Sequence, residues 1–414
     1  MERVGSSVHP DVTKNPSLQQ QASGGQAPTS ATQPAAHPAA HPAAPPAARP
    51  AAVFAPRPNP STERADSVPV GTVEFGLHTF GDVTQGLDGQ RLEHPRVLRN
   101  VVDEAVLADQ AGVDVIGIGE HHRPDYSVSS PEMVLSAIAG RTEHIKLISA
   151  VTVLSSDDPV RVYQRFATLD AVSNGRAEVS LGRGSFIESF PLFGYELSDY
   201  ERLYEEKLDL FARLRTEKPV TWQGNTRAAL QRQSVFPTTA HEFGLPAWVA
   251  VGGTPTSVVR AASYGLGLEL AIIGGTADRF KPFAQLYRRE IETRGFETRR
   301  VALHSHGFVA ATDEEAAERY YPYWEAAMTT MAAERGWPAP TPTQFQQEVT
   351  HGALHLGSPE TVARKVALSI RTLDAGRFGM KYGIGHLPHE YMLESIELYG
   401  SKVKPMVLDM LAGS

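Results

Sequence analysis

The chain has 414 residues, 41% of them hydrophobic and 21% charged, with a formal net charge of -8, the make-up of a globular protein with material for a large core. An acidic balance without any basic, aromatic-interleaved cluster argues against nucleic acid as a partner, and no stretch approaches the ~20 apolar residues of a membrane span. The absence of cysteine excludes disulfides, thiolate metal sites and cysteine nucleophiles, and with no secretory-type start a cytoplasmic location is the expectation.

Residues 1–70 are rich in Ala, Pro, Gln, Ser and Gly and lack apolar periodicity, so they read as a disordered low-complexity tail. Within it Pro34 to Pro50 repeats Pro-Ala-Ala-X, which favours extended polyproline-like chain, and His37 and His41 read there as solvated linker residues. Residues 71–414 read as one domain in which strand and helix alternate. Strands are predicted over Thr72 to Thr79, Val113 to Gly119, Ile145 to Leu154, Arg176 to Leu181, Ala247 to Val251, Leu268 to Ile273, Val301 to Ala310 and Phe378 to Ile384. Helices are predicted between them at His94 to Gln110, Pro131 to Arg141, Pro159 to Ser173, Tyr200 to Arg215, Pro255 to Tyr264, Asp278 to Arg294, Asp313 to Arg335 and Pro359 to Leu373, with Pro388 to Leu411 closing the chain. Pro219 to Phe243 reads as a polar, turn-rich insertion. About eight strand-helix units over roughly 340 residues predict an α/β fold of the (β/α)8 TIM-barrel type with insertions. An open α/β sheet is the runner-up, weakened because no Gly-rich dinucleotide or P-loop motif follows a predicted strand.

In such a barrel ligands bind at the carboxyl ends of the strands, and the motifs gather there. Gly119-Glu120-His121-His122 ends the second strand, and because adjacent strand residues point to opposite sides, one histidine of the pair should face the pocket while the other bonds to Glu120 or a carbonyl. Gly182-Arg183-Gly184-Ser185 ends the fourth strand, where an arginine between glycines can reach an anion. Gly252-Gly253-Thr254-Pro255-Thr256-Ser257 joins a strand to a helix and can cradle a phosphate, with Arg183 and Arg202 completing the site. His304-Ser305-His306 places two imidazoles on one strand face, so a metal-dependent barrel hydrolase using them, with His386 and His389, is a competing reading. The Asp157-Asp158 pair reads as a helix N-cap.

From about Val73 to Met410 the chain resembles the bacterial luciferase-like, flavin-dependent monooxygenase family. The resemblance is carried by Gly-Glu-His-His (119–122), Ser-Ala-Val-Thr-Val-Leu (149–154), Asp-Pro-Val-Arg (158–161), Leu-Asp-x-x-Ser-x-Gly-Arg (169–176), Gly-Arg-Gly-Ser (182–185), Phe-Gly (193–194) and Val-Gly-Gly-Thr-Pro-x-Ser (251–257). It implies a barrel whose mouth binds reduced FMN, reacts it with O2 and delivers oxygen to an organic small molecule. It also implies a non-prolyl cis peptide at Ala150-Val151 beneath the flavin ring, with Gly182 near the ring. Arg183, Gly184, Ser185, Arg202, Gly252, Gly253, Thr254 and Ser257 would surround the phosphate, and His121 would serve as acid/base. Phe75, His78, Phe80, Phe186, Tyr382 and His386 are candidates for the substrate wall. Gly182 stands where the light-emitting subunit has a reactive cysteine, so light emission is not implied. A sibling branch uses reduced deazaflavin for hydride transfer and is the alternative cofactor. The family further implies a homodimer and, since no nicotinamide fingerprint is present, a separate NAD(P)H:flavin reductase.

Overall fold

The computed structural model describes residues 73–413 apart from 185, 240, 242–243 and 298–299, so the expected tail over residues 1–70 lies outside the described residues. Eight parallel strands form the barrel: β1 (Glu74–Thr79), β2 (Val115–Ile118), β3 (Lys146–Ser149), β4 (Ala177–Gly182), β5 (Ala247–Val251), β6 (Gly267–Ala271), β7 (Val301–Val309) and β8 (Ala375–Lys381). Each pairs with its sequence neighbours, and β8 pairs with β1 as Phe75↔Phe378 and Leu77↔Met380, so the sheet closes on itself. The predicted TIM barrel is therefore the fold. Closure leaves the eight strands no free edge among themselves.

Helices cover the outside: α1 (His94–Gln110), α2 (Pro131–Ala139), α3 (Pro159–Val172), α4 (Tyr200–Thr216), α5 (Pro255–Ser263), α6 (Lys281–Thr293), α7 (Asp313–Arg335), α8 (Pro342–Thr350), α9 (Pro359–Leu373), α10 (His389–Leu398) and α11 (Lys404–Ala412). Their starts follow local chemistry. The Asp158 carboxylate accepts from the backbone N–H of Val160 at 2.9 Å and caps α3, and Thr312 accepts from the Glu315 N–H at 3.1 Å to cap α7. Asp157, the other half of the predicted capping pair, instead pairs with Arg165.

Four expectations need correction. The strand predicted over Ile145 to Leu154 breaks at 150–151, and Thr152–Val153 pairs separately with Leu181 and Gly182. The insertion over Pro219 to Phe243 contains an antiparallel ribbon, Val220–Trp222 against Leu230–Gln233, anchored where the indole N–H of buried Trp222 donates to Asp209 at 2.8 Å. The closing helix is split by a π turn at Tyr399–Val403, because Pro405 has no N–H for the i−4 carbonyl. The short strand His355–Gly357 and α8 had no counterpart in the prediction; the strand extends the sheet outward from β7.

Along every barrel strand one parity faces inward. Glu178, Trp248 and Arg377 meet at the amino end of the barrel, Ser180, Glu269, His78 and His304 form the middle, and Lys381 lies above them over the Phe80 ring. The interior is thus unusually polar for a barrel, whose centre is ordinarily filled by branched aliphatic side chains. Among the described residues no helix is long and apolar enough to cross a membrane.

Candidate active site

The strand ends open into a cavity of about 470 Å³. Its floor is small and apolar, made of Ala150 and Val151 from the end of β3, Gly182 from β4, and Ala250 and Ala271 from β5 and β6. The Ala150-Val151 peptide is cis, as the resemblance implied. A Cβ added at Gly182 would stand 2.5 Å from Val151 Cγ2, so the floor closes only because residue 182 has no side chain. Gly182→Ala is accordingly expected to lower unfolding stability by about 1–3 kcal/mol, measured by urea denaturation; a neutral result would show that Val151 has room to move.

The two predicted histidines divide as strand parity requires. His122 turns from the cavity and bonds to Glu120 Oε1 at 2.8 Å, while Glu120 Oε2 accepts the Val153 N–H at 2.8 Å and so ties β2 to the chain after the cis bond. His121 lines the cavity, with ring centroids 4.7 Å from Phe80, 4.5 Å from Tyr126 and 5.1 Å from Phe186. Burial, then the positive charges of Lys381, His122 and Arg123, hold its pKa down at about 3, so His121 is a neutral imidazole at physiological pH. Lys381 is buried and paired with Asp82 at 2.9 Å, and its Nζ also donates to the Gly383 carbonyl at 2.6 Å.

Of the predicted substrate-wall residues, Phe80, Phe186 and His386 line the cavity, His386 donating from Nδ1 to the Val83 carbonyl at 2.6 Å. His78 lies below the cavity wall, buried in the barrel interior against His304. Phe75 and Tyr382 are not in the wall. Each sits on the outward parity of its strand; Phe75 is core, and the Tyr382 hydroxyl donates to Glu104 on α1 at 2.6 Å. Sequence reasoning missed Lys381, Asp82, Glu269, Tyr126 and the α7 face carrying Tyr323 and Met331.

The expected phosphate end is partly assembled. Arg183, Gly184 and Gly252 line the cavity, and a Cβ on Gly252 would meet nothing within 4 Å, leaving open space against the backbone. Gly253, Thr254 and Ser257 follow at the start of α5, with the Thr254 hydroxyl donating to Ser257 Oγ at 2.8 Å; they are set back from the cavity wall. Arg183 pairs with Glu201 and lies over the Tyr200 ring at 5.4 Å. Arg202 is not in the wall: it is 54% exposed and bonds one turn back to Asp199 at 2.8 Å, because its place on α4 points it outward. Tyr200, two residues earlier, takes the position instead, its hydroxyl donating to the Gly184 carbonyl at 3.0 Å. Ser185 lies outside the described residues.

The metal reading centres on other atoms than those expected. His78, Glu269 and His304 bring ligand-type atoms within 4.8 Å of one another, and His306 is not among them. Yet His78 Nδ1 and His304 Nδ1 are 2.6 Å apart, closer than two imidazoles each about 2.0–2.1 Å from one ion would stand, so the pair is a hydrogen bond. Over the mouth, Arg123 joins Glu188 at 2.8 Å, Asp125 at 3.2 Å and Glu334 of α7, with its guanidinium 4.5 Å over the Phe186 ring.

Residues 73–375 match the model of the luciferase-like monooxygenase family. The 4-hydroxyprotoasukamycin monooxygenase of Streptomyces nodosus subsp. asukaensis is 32% identical over 163 residues, covering 38% of this chain and 43% of that protein. Among solved structures, monooxygenase RslO1 from Streptomyces bottropensis superposes with a TM-score of 0.70 at 21% identity, over 80% of this chain and 99% of that one. The oxygenating constituent of 3,6-diketocamphane monooxygenase from Pseudomonas putida, a type II Baeyer-Villiger monooxygenase in complex with FMN, gives 0.66 at 18% identity, over 81% and 99%. At these identities the two structures speak to the fold, while the family match spans most of the described domain. The chain belongs to the luciferase-like monooxygenase family.

Proposed function

We propose that this chain uses reduced FMN and O2 to oxygenate an organic small molecule, the reduced flavin coming from a separate NAD(P)H:flavin reductase and the enzyme acting as a cytoplasmic homodimer. The observation that carries the reading is the floor of the cavity: an apolar shelf of small residues, Ala150, Val151 and Gly182, with an arginine and an open glycine backbone also in the wall. Such a floor suits a planar tricyclic ring, and Arg183 with Gly252 suits the phosphate at the far end of its tail. A solved relative in this fold is described in complex with FMN, which supports the same assignment.

When bound, reduced flavin supplies the electrons and the site of oxygen activation. The protein's own part is positioning and proton control. Phe80, Tyr126 and Phe186 pack their rings around His121 at the cavity wall, where the neutral imidazole can take or return one proton at a ring nitrogen. Lys381 helps to keep that imidazole uncharged. Arg183 must exchange its Glu201 partner for the phosphate, which sets up a direct measurement.

In an anaerobic titration with reduced FMN, Arg183→Ala is expected to weaken binding by about 10–100-fold, the loss of a charge-assisted contact of roughly 1.5–3 kcal/mol. Tight binding by wild type together with O2-dependent product formation supports the monooxygenase. Binding of reduced deazaflavin in place of FMN would replace it with the hydride-transfer alternative.

A further inference from the structure

Beneath the cavity floor the barrel holds a buried group that the reading above does not use. His78 on β1, His304 on β7 and Glu269 on β6 meet in the middle layer. Both histidines are neutral: burial first, then the repulsion a second charge would meet, from His304 if it too were protonated and from Arg377 for His78, and from Lys381 for His304, push their pKa values down, that of His304 to about 4. Two neutral imidazoles joined through Nδ1 atoms 2.6 Å apart must hold complementary tautomers, one donating and one accepting.

Which one donates follows from the surroundings of His78. Its other nitrogen, Nε2, is buried without a partner. It faces backbone, for a Cβ added at Gly117 would lie 2.9 Å from it and one at Gly379 2.7 Å from it. A buried N–H left unmade is rarer than an unmade acceptor, so Nε2 is the bare nitrogen and Nδ1 carries the hydrogen. The Glu269 carboxyl, with Oε1 3.9 Å from that Nδ1 and Oε2 accepting from Ser180 at 2.8 Å, favours the same choice by facing the N–H dipole. His78 then donates to His304 Nδ1, and the His304 hydrogen is driven to Nε2. His304 is part of the cavity wall, stacked 6.5 Å from Phe80, with His306 and Lys381 as its other polar neighbours.

We propose that His304 is a fixed N–H donor to an acceptor oxygen of the organic substrate, and that His78 is the positioning residue that locks its tautomer. The neutral donor would polarise a carbonyl-type oxygen without carrying charge into the dry barrel, as a neutral imidazole held in one tautomer can do. The substrate half of this inference rests on the monooxygenase reading; the tautomer half does not.

The test is histidine-labelled NMR of the flavin-free protein. Wild type is expected to show His304 protonated at Nε2 and His78 at Nδ1, with neither titrating between about pH 5.5 and 8. A hydrogen on His304 Nδ1, or titration of His304 near neutrality, would overturn the assignment. Cyclohexanone should then move the His304 Nε2–H resonance downfield while methylcyclohexane leaves it in place. Equal responses, or none to the ketone at saturation, would sink the donor role even if reduced FMN binds normally. In His78→Leu the His304 hydrogen should redistribute between both nitrogens, and in His78→Gln, whose amide can donate, it should return to Nε2. A zinc addition that removes the hydrogen-bonded resonance at one equivalent would make the cluster a metal site instead.

Discussion

Lys381→Met is expected to lower the unfolding free energy by about 3–5 kcal/mol and to raise the pKa of His121, the first read by urea denaturation and the second by histidine NMR. The stability loss comes from Asp82. Its carboxylate is 4% exposed and takes both oxygens to Lys381, at 3.0 and 2.9 Å, so removing the ammonium leaves a buried negative charge without a cation. Adding Asp82→Asn to Lys381→Met should recover a large part of the loss, since the second change removes the stranded charge; a double-mutant cycle with no coupling would show the pair to be solvated. The effect on His121 has a definite sign. A positive charge nearby disfavours the imidazolium, so its removal raises the value from about 3, while burial, the larger cause, still keeps it below the ordinary 6.5. His304 should move in the same direction from about 4. One buried lysine thereby reinforces burial in holding two cavity imidazoles neutral.

A loss of similar size, about 3–5 kcal/mol, is expected for Arg377→Met at the amino end of the barrel. Arg377 is 3% exposed, makes a two-pronged contact with Glu178 at 2.8 and 3.0 Å, reaches Glu74 through Nε at 2.8 Å, and lies 4.7 Å over the Trp248 ring. Lys146, 3.3 Å from Glu178, is the remaining cation and is itself 41% exposed. Burial opposes ionisation of Glu178, but the charges of Arg377 and Lys146 outweigh it and hold the pKa at about 2. The linkage to pH follows. A carboxylate depressed from about 4.3 contributes stability that is complete above that value and is lost as pH falls toward 2. The imidazoles of His121 at the cavity wall and of buried His304 and His355, at about 3, 4 and 3, act earlier, because the unfolded chain takes up protons below about 6.5 that the folded one refuses. Wild type should therefore lose stability in two stages, from about pH 6.5 and again below about 4.3. In Arg377→Met the second stage should shrink while the first persists; an unchanged acid limb would assign it to other carboxylates.

How much of this was readable beforehand depended on what each residue's signal was. α1, α7, α9 and β5 appear with the predicted bounds, since long amphipathic spacing and capping residues such as Thr312 are local and unambiguous. Strand parity predicted that only one of His121 and His122 would face the cavity and the family resemblance pointed to His121, while the same parity applied to β1 and β8 would have separated His78 and Phe80 from Phe75, and Lys381 from Tyr382. Arg202 lies outside the cavity wall for a different reason: the side of α4 that faces the cavity depends on where the helix begins, and Tyr200 holds the wall position. α8 did carry a signal, since Thr341 and Gln344 form a capping box, but its short apolar pattern hid it. The charged barrel interior had only strand parity to show it. Glu178, Glu269, Arg377 and Lys381 lie in runs that otherwise read as ordinary strands, and only their partners across the barrel explain them.

The bare strand positions around His78 carry a consequence for how such sequences can change. A methyl group at Gly117 would stand 2.6 Å from His78 Cδ2, and one at Gly379 2.6 Å from His78 Cε1, so the imidazole occupies volume that two neighbouring strands have given up. Ring and vacancies form one interlocking shape divided among three segments far apart in the chain. Alanine at 117 alone should be rejected as overpacked and alanine at 78 alone as hollow, whereas the two together avoid the clash and leave a smaller void than alanine at 78 alone. Relatives with a bulkier residue at either glycine position are accordingly expected to carry a smaller one in place of His78, and to have surrendered the imidazole pair with it.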